Sequence, residues 1–299
     1  MKISAVIIGQ HEEAMLPDLL ESLKGFDEIV FCYTGDTAQP DGTLDIVKKY
    51  TDNICYFRWC DSFCKARNAA KAHATGDWIL SIDCDEVLHD VGAVREAVAL
   101  AEKQAARAVD VRMIANDNGQ FFMFPRLFKN DQDVFWAGNV HNHLSVIGVT
   151  LGDVRITHRF SPAHALDPDR SLRMLENDVK ENNGPREMFY LGREYYYRGR
   201  YQEAVTMLGK YVQLSRYLAE KADAFLIMSR SYWAMGMHDD ARDAIVQSLI
   251  INAHFKEAIT WMSQIAGDGS GNERWQANAD QWKRMAETAN NNDVLFVRN

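Results

Sequence analysis

Two aspartates one residue apart, Asp83 and Asp85, precede Glu86 and follow the apolar run Trp78-Ile79-Leu80-Ser81-Ile82. The run reads as a buried strand entered through the turn residues Gly76-Asp77. In an open α/β sheet, ligands bind outside the carboxyl ends of the strands. Two carboxylates at such an exit can hold a hard divalent cation, which takes oxygen ligands and keeps a substrate phosphate as partner. The plain alternative is a solvated acidic turn, because aspartate is common where strands end. Two histidine-bearing segments follow, Trp136-Ala-Gly-Asn-Val-His141-Asn142-His143 and His158-Arg159.

The elements that must position these residues alternate. Residues 3–8 read as a strand, and 14–24 as a helix with Leu16, Leu19, Leu20 and Leu23 on one face. A second strand over 28–33 exits into Thr34-Gly35-Asp36. Asp41-Gly42-Thr43 caps a helix through about Tyr50, and 53–58 is a third strand. Ser62 caps a helix carrying Lys65, Arg67 and Asn68, after which comes the strand ending at Asp83. This β-α-β-α-β-α-β order predicts a mostly parallel sheet with helices on both faces. No Gly-x-Gly-x-x-Gly turn follows the first strand, which disfavours a dinucleotide site, and no P-loop is present. Beyond a helix near 90–106, strands over 109–114 and 120–128 flank Asn118-Gly119, a hairpin signal. Short strands are expected near 134–136, 144–149 and 153–158.

From about Asp167 the pattern is helical and repeats internally. Tyr195, Gly199 and Ala204 recur as Tyr232, Gly236 and Ala241, a tetratricopeptide-like spacing in which small residues permit close helix packing. Leu191-Gly192 completes the first copy, and the second lacks it. Tyr195–Tyr197 and Trp233 are expected in the helix-pair core, with a terminal helix near 272–289.

The chain has 299 residues, 47% hydrophobic and 25% charged, and a net charge of −9. Residues 1–160 hold 16 basic and 23 acidic residues, so the acid sits with the candidate site. That weighs against a broad phosphate-backbone footprint and so against a nucleic-acid partner. Cys32, Cys55, Cys60, Cys64 and Cys84 contain no Cys-x-x-Cys pair and suggest reduced thiols rather than zinc. No apolar run approaches membrane-spanning length and no signal-peptide pattern opens the chain, so a cytoplasmic protein without a membrane span is expected.

Residues 1–160 resemble the GT-A catalytic domain of family-2 glycosyltransferases. The resemblance is carried by the first strand with Glu12-Glu13, the 28–33 strand with Thr34-Gly35, Asp41-Gly42-Thr43, Ala66-Arg67-Asn68, Thr75–Leu80 and Asp83-Cys84-Asp85-Glu86. With 161–299 as an all-α, tetratricopeptide-like domain, the chain is similar to the peptide S-glycosyltransferases of glycosylated bacteriocins. The resemblance implies an α/β GT-A fold and a nucleotide-diphosphate sugar donor, with UDP as the expected carrier and Mn²⁺ or Mg²⁺ as cofactor. It places Glu12, Gly35, Asp36, Arg67, Asn68 and Asp83 at the nucleotide sugar, and Asp85 and His158 on the metal. Imidazole suits Mn²⁺ better than Mg²⁺. Where family members carry an Asp that reads the uracil edge, this chain has Tyr33. Either Asp36 stands in from the next turn, or Tyr33 stacks on the base.

An inverting transferase needs a group that takes the acceptor's proton. The subgroup's Val-His-Glu is Val140-His141-Asn142 here, and an amide cannot act as base. His141, with Asp83 as its catalytic companion, is the expected choice, followed by His143 and then Asp131 or Asp133. The overall expectation is a metal-dependent, inverting hexosyltransferase-type enzyme whose protein, peptide or other acceptor is unidentified. Its helical domain would position the acceptor or form a homodimer contact. The alternatives are a catalytically weak scaffold using the helical groove, and a transferase acting on a hydroxylated nucleic-acid base.

Overall fold

A computed structural model describes residues 1–115, 120–266 and 273–289. The chain forms two compact units, Met1–Arg170 and Ser171–Asn299.

The first unit is built on an eight-stranded sheet. Its strands are β1 (Ile3–Gly9), β2 (Glu28–Tyr33), β3 (Ile54–Tyr56), β4 (Trp78–Ser81), β5 (Glu86–Leu88), β6 (Ala108–Ala115), β7 (Phe121–Lys129) and β10 (Arg155–His158). β8 (Trp136–Ala137) and β9 (His143–Leu144) pair separately. The sheet order is β3-β2-β1-β4-β7-β6-β10-β5. β3, β2, β1 and β4 run parallel, as do β6 and β10; β4–β7, β6–β7 and β10–β5 are antiparallel. β1 and β4 are buried on both faces, which is why they read as continuous apolar runs.

Helices α1 (Leu16–Ser22), α2 (Thr43–Val47), α3 (Phe63–Lys71) and α4 (Val91–Lys103) follow their strands. α1 buries Leu16, Leu19 and Leu20, with Leu23 just beyond its end, in a core shared with Ile7, Phe31 and Leu80. On the other face, Ala66 and Ala70 of α3 meet Val6, Val30 and Ile79. The Ser62 side chain caps α3 as expected, and Asp90 caps α4 in the same way.

Two expectations change and a third falls outside the described residues. The helix expected to reach Tyr50 stops at Val47, because Lys49 and Tyr50 donate three residues back, to Ile46 and Val47, in a tightened last turn. The strand expected over 144–149 shrinks to His143–Leu144. Beyond it only Val149 bridges to β6, at Val109, ahead of the stretch Arg112–Ala115 that pairs with β10. Asn118-Gly119 lies outside the described residues, but the strands flanking it do pair antiparallel.

The second unit is all α. It comprises α5 (Arg170–Asn182, whose first residue closes the first unit), α6 (Pro185–Tyr197), α7 (Tyr201–Leu214), α8 (Leu218–Ala234), α9 (His238–Ile251), α10 (Lys256–Ala266) and α11 (Glu273–Thr288). The repeat is visible bond for bond. Gly199 and Gly236 both take left-handed φ, 71° and 77°. Arg200 N–H donates to Tyr195 O at 2.8 Å, and Met237 N–H to Tyr232 O at 2.9 Å. Ala204 and Ala241 are fully buried. A Cβ on Gly192 would meet Leu208 at 2.6 Å. The matching position in the second copy is Ser229, whose hydroxyl donates to Ala241 O at 2.6 Å. Tyr195 is buried and Tyr196 half-buried, but Tyr197 is exposed, against the expectation; Trp233 packs edge-on to Trp261. Among the described residues no helix is long and apolar enough to cross a membrane.

Candidate active site

The exits of β1, β2 and β4 lie at one end of the parallel strands, as the topology requires. β1 ends at Gly9, where a Cβ would stand 2.4 Å from Cys84 Sγ, so only glycine admits the close approach of the two exits. The turn after β4 is locked from within: Asp83 N–H donates to Glu86 Oε2 at 2.8 Å, and Glu86 N–H to Asp83 O at 3.0 Å.

The two aspartates face different partners. Asp83 Oδ1 lies 2.6 Å from Arg67 Nη2, and its Oδ2 lies 2.9 Å from Arg126 Nη2. Burial opposes ionisation of Asp83, but Arg126 and Arg67 outweigh it and hold the carboxyl well below its ordinary range. Arg126 Nη2 also meets Glu86 Oε1 at 2.8 Å. Glu86 is fully buried, and burial pushes its carboxyl up to about 7 against the pull of Arg126.

Asp85 turns instead to histidine. Its Oδ2 is 3.5 Å from His158 Nε2 and 3.8 Å from His164 Nε2. His158 is delivered by β10, where it pairs with Glu86 across the antiparallel β10–β5 contact. His164 comes from a 3₁₀ turn, Pro162–Leu166, capped by Ser161 and packed edge-on against Phe160. Burial and the neighbouring Asp83 raise the Asp85 carboxyl, and the two imidazoles moderate the rise. Burial lowers His164. Glu12 completes the group: its Oε2 accepts from Ser161 Oγ at 2.8 Å. Burial, together with Asp85 and Asp83, raises it to about 7 despite that hydrogen bond and nearby Arg170.

Asp85, His158 and His164 form the donor set nearest to what the implied cation needs. One carboxylate oxygen beside two imidazole nitrogens suits a borderline ion such as Mn²⁺ better than Mg²⁺. Among the described residues no three or more His, Cys, Asp or Glu close into a ready-made cage. An ion beside Asp85 would therefore take one or two side chains and be completed by phosphate and water. Asp83 and Asp85 do not aim at one ion, because Arg67 and Arg126 occupy the Asp83 oxygens.

Several expected site residues have other work. Arg67 is 7% exposed, bonded to Ser81 and Asp83 and lying over the Trp136 ring, so it is neither a surface arginine nor a free phosphate ligand. Asn68 spends its side-chain amide on the Trp136 backbone: Nδ2 donates to Trp136 O and Oδ1 accepts from Trp136 N, both at 2.9 Å. It therefore holds the loop that carries His141 rather than a nucleotide. Tyr33 is 1% exposed and hydrogen-bonds Asp41, so it cannot stack on a base. Gly35 makes room for that ring, since a Cβ there would meet the Tyr33 hydroxyl. Asp36 is exposed and closes a local turn onto Ala38 N–H at 2.8 Å. His141 is exposed on the Gly138–Asn142 turn with a left-handed φ of 48°, and that turn is tied to α3 through Asn139 O and Phe63 N–H. Asp131 and Asp133 pair with Arg107, which lowers the Asp133 carboxyl and disqualifies both as free bases.

Arg126 and His164 were missed from sequence. The signal for the first was a lone cation inside the apolar strand Phe124-Pro-Arg-Leu-Phe128. For the second it was a Ser-Pro turn just after the last strand.

Residues 4–157 match the family model described as Glycosyl transferase family 2. A TPR repeat-containing protein of Synechococcus elongatus is 34% identical over 143 residues, covering 47% of this chain and 34% of that protein. The SPbeta prophage-derived glycosyltransferase SunS of Bacillus subtilis is 26% identical over 225 residues, covering 70% of this chain and 52% of SunS. The chain thus spans about a third to a half of the length of these curated relatives. Among solved structures, S. aureus TarS 1-349 in complex with UDP-GlcNAc is 13% identical, covering 84% of this chain and 91% of that one, with a TM-score of 0.49.

Proposed function

The chain belongs to glycosyl transferase family 2, and on that premise we propose that it moves a sugar from a nucleotide-diphosphate donor, a UDP-sugar, to an acceptor with inversion at the sugar carbon. The observation that carries the proposal is the division of labour at the β4 exit. Asp83 is a fixed anion between two arginines, while Asp85 stands beside two imidazoles.

In this reading residues 1–160 form the catalytic domain and 161–299 a helical domain, in a cytoplasmic protein. Asp85, with His158 as a further ligand, would hold Mn²⁺ or Mg²⁺. When bound, such an ion stabilises the charge that develops on a diphosphate leaving group. Asp83, permanently ionised and still 26% exposed at its side chain, accepts hydroxyl hydrogen bonds from the donor without competing for protons. Glu12, its carboxyl raised to about 7 chiefly by burial, belongs to the same cluster. His141 is the proposed proton acceptor: an imidazole matches working pH, and its turn is anchored by Asn68 and Asn139.

Titration calorimetry with UDP-sugars in the presence of Mn²⁺ tests this. Binding is expected for wild type and is expected to fall at least about tenfold in Asp85→Ala. No binding by wild type, or binding unchanged in the variant, would count against the proposal. For His141, the His141→Ala variant should bind donor normally and lose acceptor transfer.

A further inference from the structure

We propose that Arg126 is a positioning residue of the donor site, holding Asp83 in place through a buried guanidinium shared with Glu86. The proposal rests on the nucleotide-sugar reading above and adds a residue to it.

The placement follows from strand register. Leu80 of β4 pairs with Leu127 of β7, so Arg126 falls beside the exit of β4, next to Ser81 and the acidic turn. There one nitrogen, Nη2, reaches both Asp83 Oδ2 at 2.9 Å and Glu86 Oε1 at 2.8 Å. The other Glu86 oxygen accepts the backbone N–H of Asp83. Arg126 therefore grips Asp83 twice: directly at the carboxylate, and through Glu86 at the backbone. Arg67, on α3, takes the remaining carboxylate oxygen. Both oxygens are thus pinned, which fixes the rotation of the carboxylate as well as its charge.

Stability alone is a poor explanation for this arrangement. A buried ion cluster is usually no more stabilising than apolar side chains of the same volume. Arg126 is 8% exposed and Glu86 is fully buried, so these two carry most of the cluster's desolvation cost. What it delivers is one side chain, Asp83, that reaches solvent at the strand exits in a fixed orientation. A binding group needs to be held within about 0.5 Å by partners locked in turn, which is what these contacts supply.

Two variants separate this role from folding. Arg126→Lys keeps the charge but on a shorter side chain, which draws the nitrogen back from the Asp83 and Glu86 oxygens. Arg126→Met combined with Glu86→Gln removes both buried charges while keeping an acceptor for the Asp83 N–H. Each is checked by circular dichroism and thermal melting. Each is then titrated with UDP-glucose and UDP-N-acetylglucosamine plus Mn²⁺. The expected result is a folded protein whose donor Kd rises roughly 10- to 100-fold, as for loss of an outer-shell partner, with the lysine variant the milder of the two. A folded variant of either kind with donor Kd within about twofold of wild type overturns the assignment. So does failure of both variants to fold, since Arg126 would then serve stability alone. If wild type itself binds neither donor, the nucleotide-sugar reading fails first and takes this role with it.

Discussion

Asp83 and Asp85 are separated by one residue and by opposite surroundings, so substitutions at the two should part company. Asp83→Asn leaves Arg67 and Arg126 buried with less counter-charge. It is expected to lower unfolding free energy by about 2–4 kcal/mol in urea titration. Asp85→Asn faces two half-exposed imidazoles instead and should change stability little, while Mn²⁺-dependent donor binding falls at least about tenfold. A stable Asp83→Asn, or an Asp85→Asn that still binds donor as wild type does, would contradict this division. The pair was legible in the sequence because strand ends and carboxylates are both local signals. His158 was legible only through the family resemblance. The partners that distinguish the two aspartates were not legible, because Arg126 arrives by antiparallel pairing and His164 by a turn 79 residues on from Asp85. Asn68 and Tyr33 show the same limit. Each has a polar group suited to a ligand, and each spends it on a partner within the fold.

At the level of elements, the strands with both faces buried and the capped helices were read to within a few residues, because period and cap chemistry are local. The segment 144–149 was misread because Leu144 and Val146 pack on the core as strand residues would, yet beyond Leu144 only Val149 finds a ladder partner, Val109. The helical repeat offers a cleaner test of local reasoning. At Gly199 and Gly236 a Cβ would meet nothing within 4 Å, yet both have left-handed φ. Substitution there isolates backbone strain from packing. Gly199→Ala and Gly236→Ala should each cost about 1–2 kcal/mol and cost the same within error. Gly199→Asn should cost less, since asparagine tolerates that region. Gly192→Ala differs in kind: its φ is ordinary and its Cβ would meet the buried Leu208 at 2.6 Å, so its cost, about 1–3 kcal/mol, comes from overpacking. Urea unfolding of the four variants checks this. Unequal costs at the two αL glycines would show that the helix pairs are not equivalent.

The whole molecule carries carboxylates shifted in both directions, and this shapes its stability against pH. Burial raises Glu28, but hydrogen bonds from Ser4, Thr75 and Lys2 outweigh it and bring the carboxyl down to about 2. Asp83 is lowered by its arginines despite burial. Groups of this kind stabilise the fold above their unfolded pKa, and that contribution is lost as pH falls towards the folded value, here below about 4.5. Glu12 and Glu86, each raised to about 7, act in reverse. The folded state holds their protons more tightly than the unfolded chain does, so stability falls as pH rises from about 4.5 to 7. His164, lowered by burial, works against that fall over part of the same range, so a bare melting curve mixes the two. Comparison with Glu12→Gln separates them. The amide keeps an acceptor for the Ser161 hydroxyl but cannot ionise. In buffers containing EDTA, Tm of the variant minus Tm of wild type should grow as pH rises from about 4.5 to 7, by roughly 3–5 °C, and level off above pH 7. A difference that is flat across this window would mean that Glu12 is solvated in the folded protein and does not belong to the buried group around Asp85.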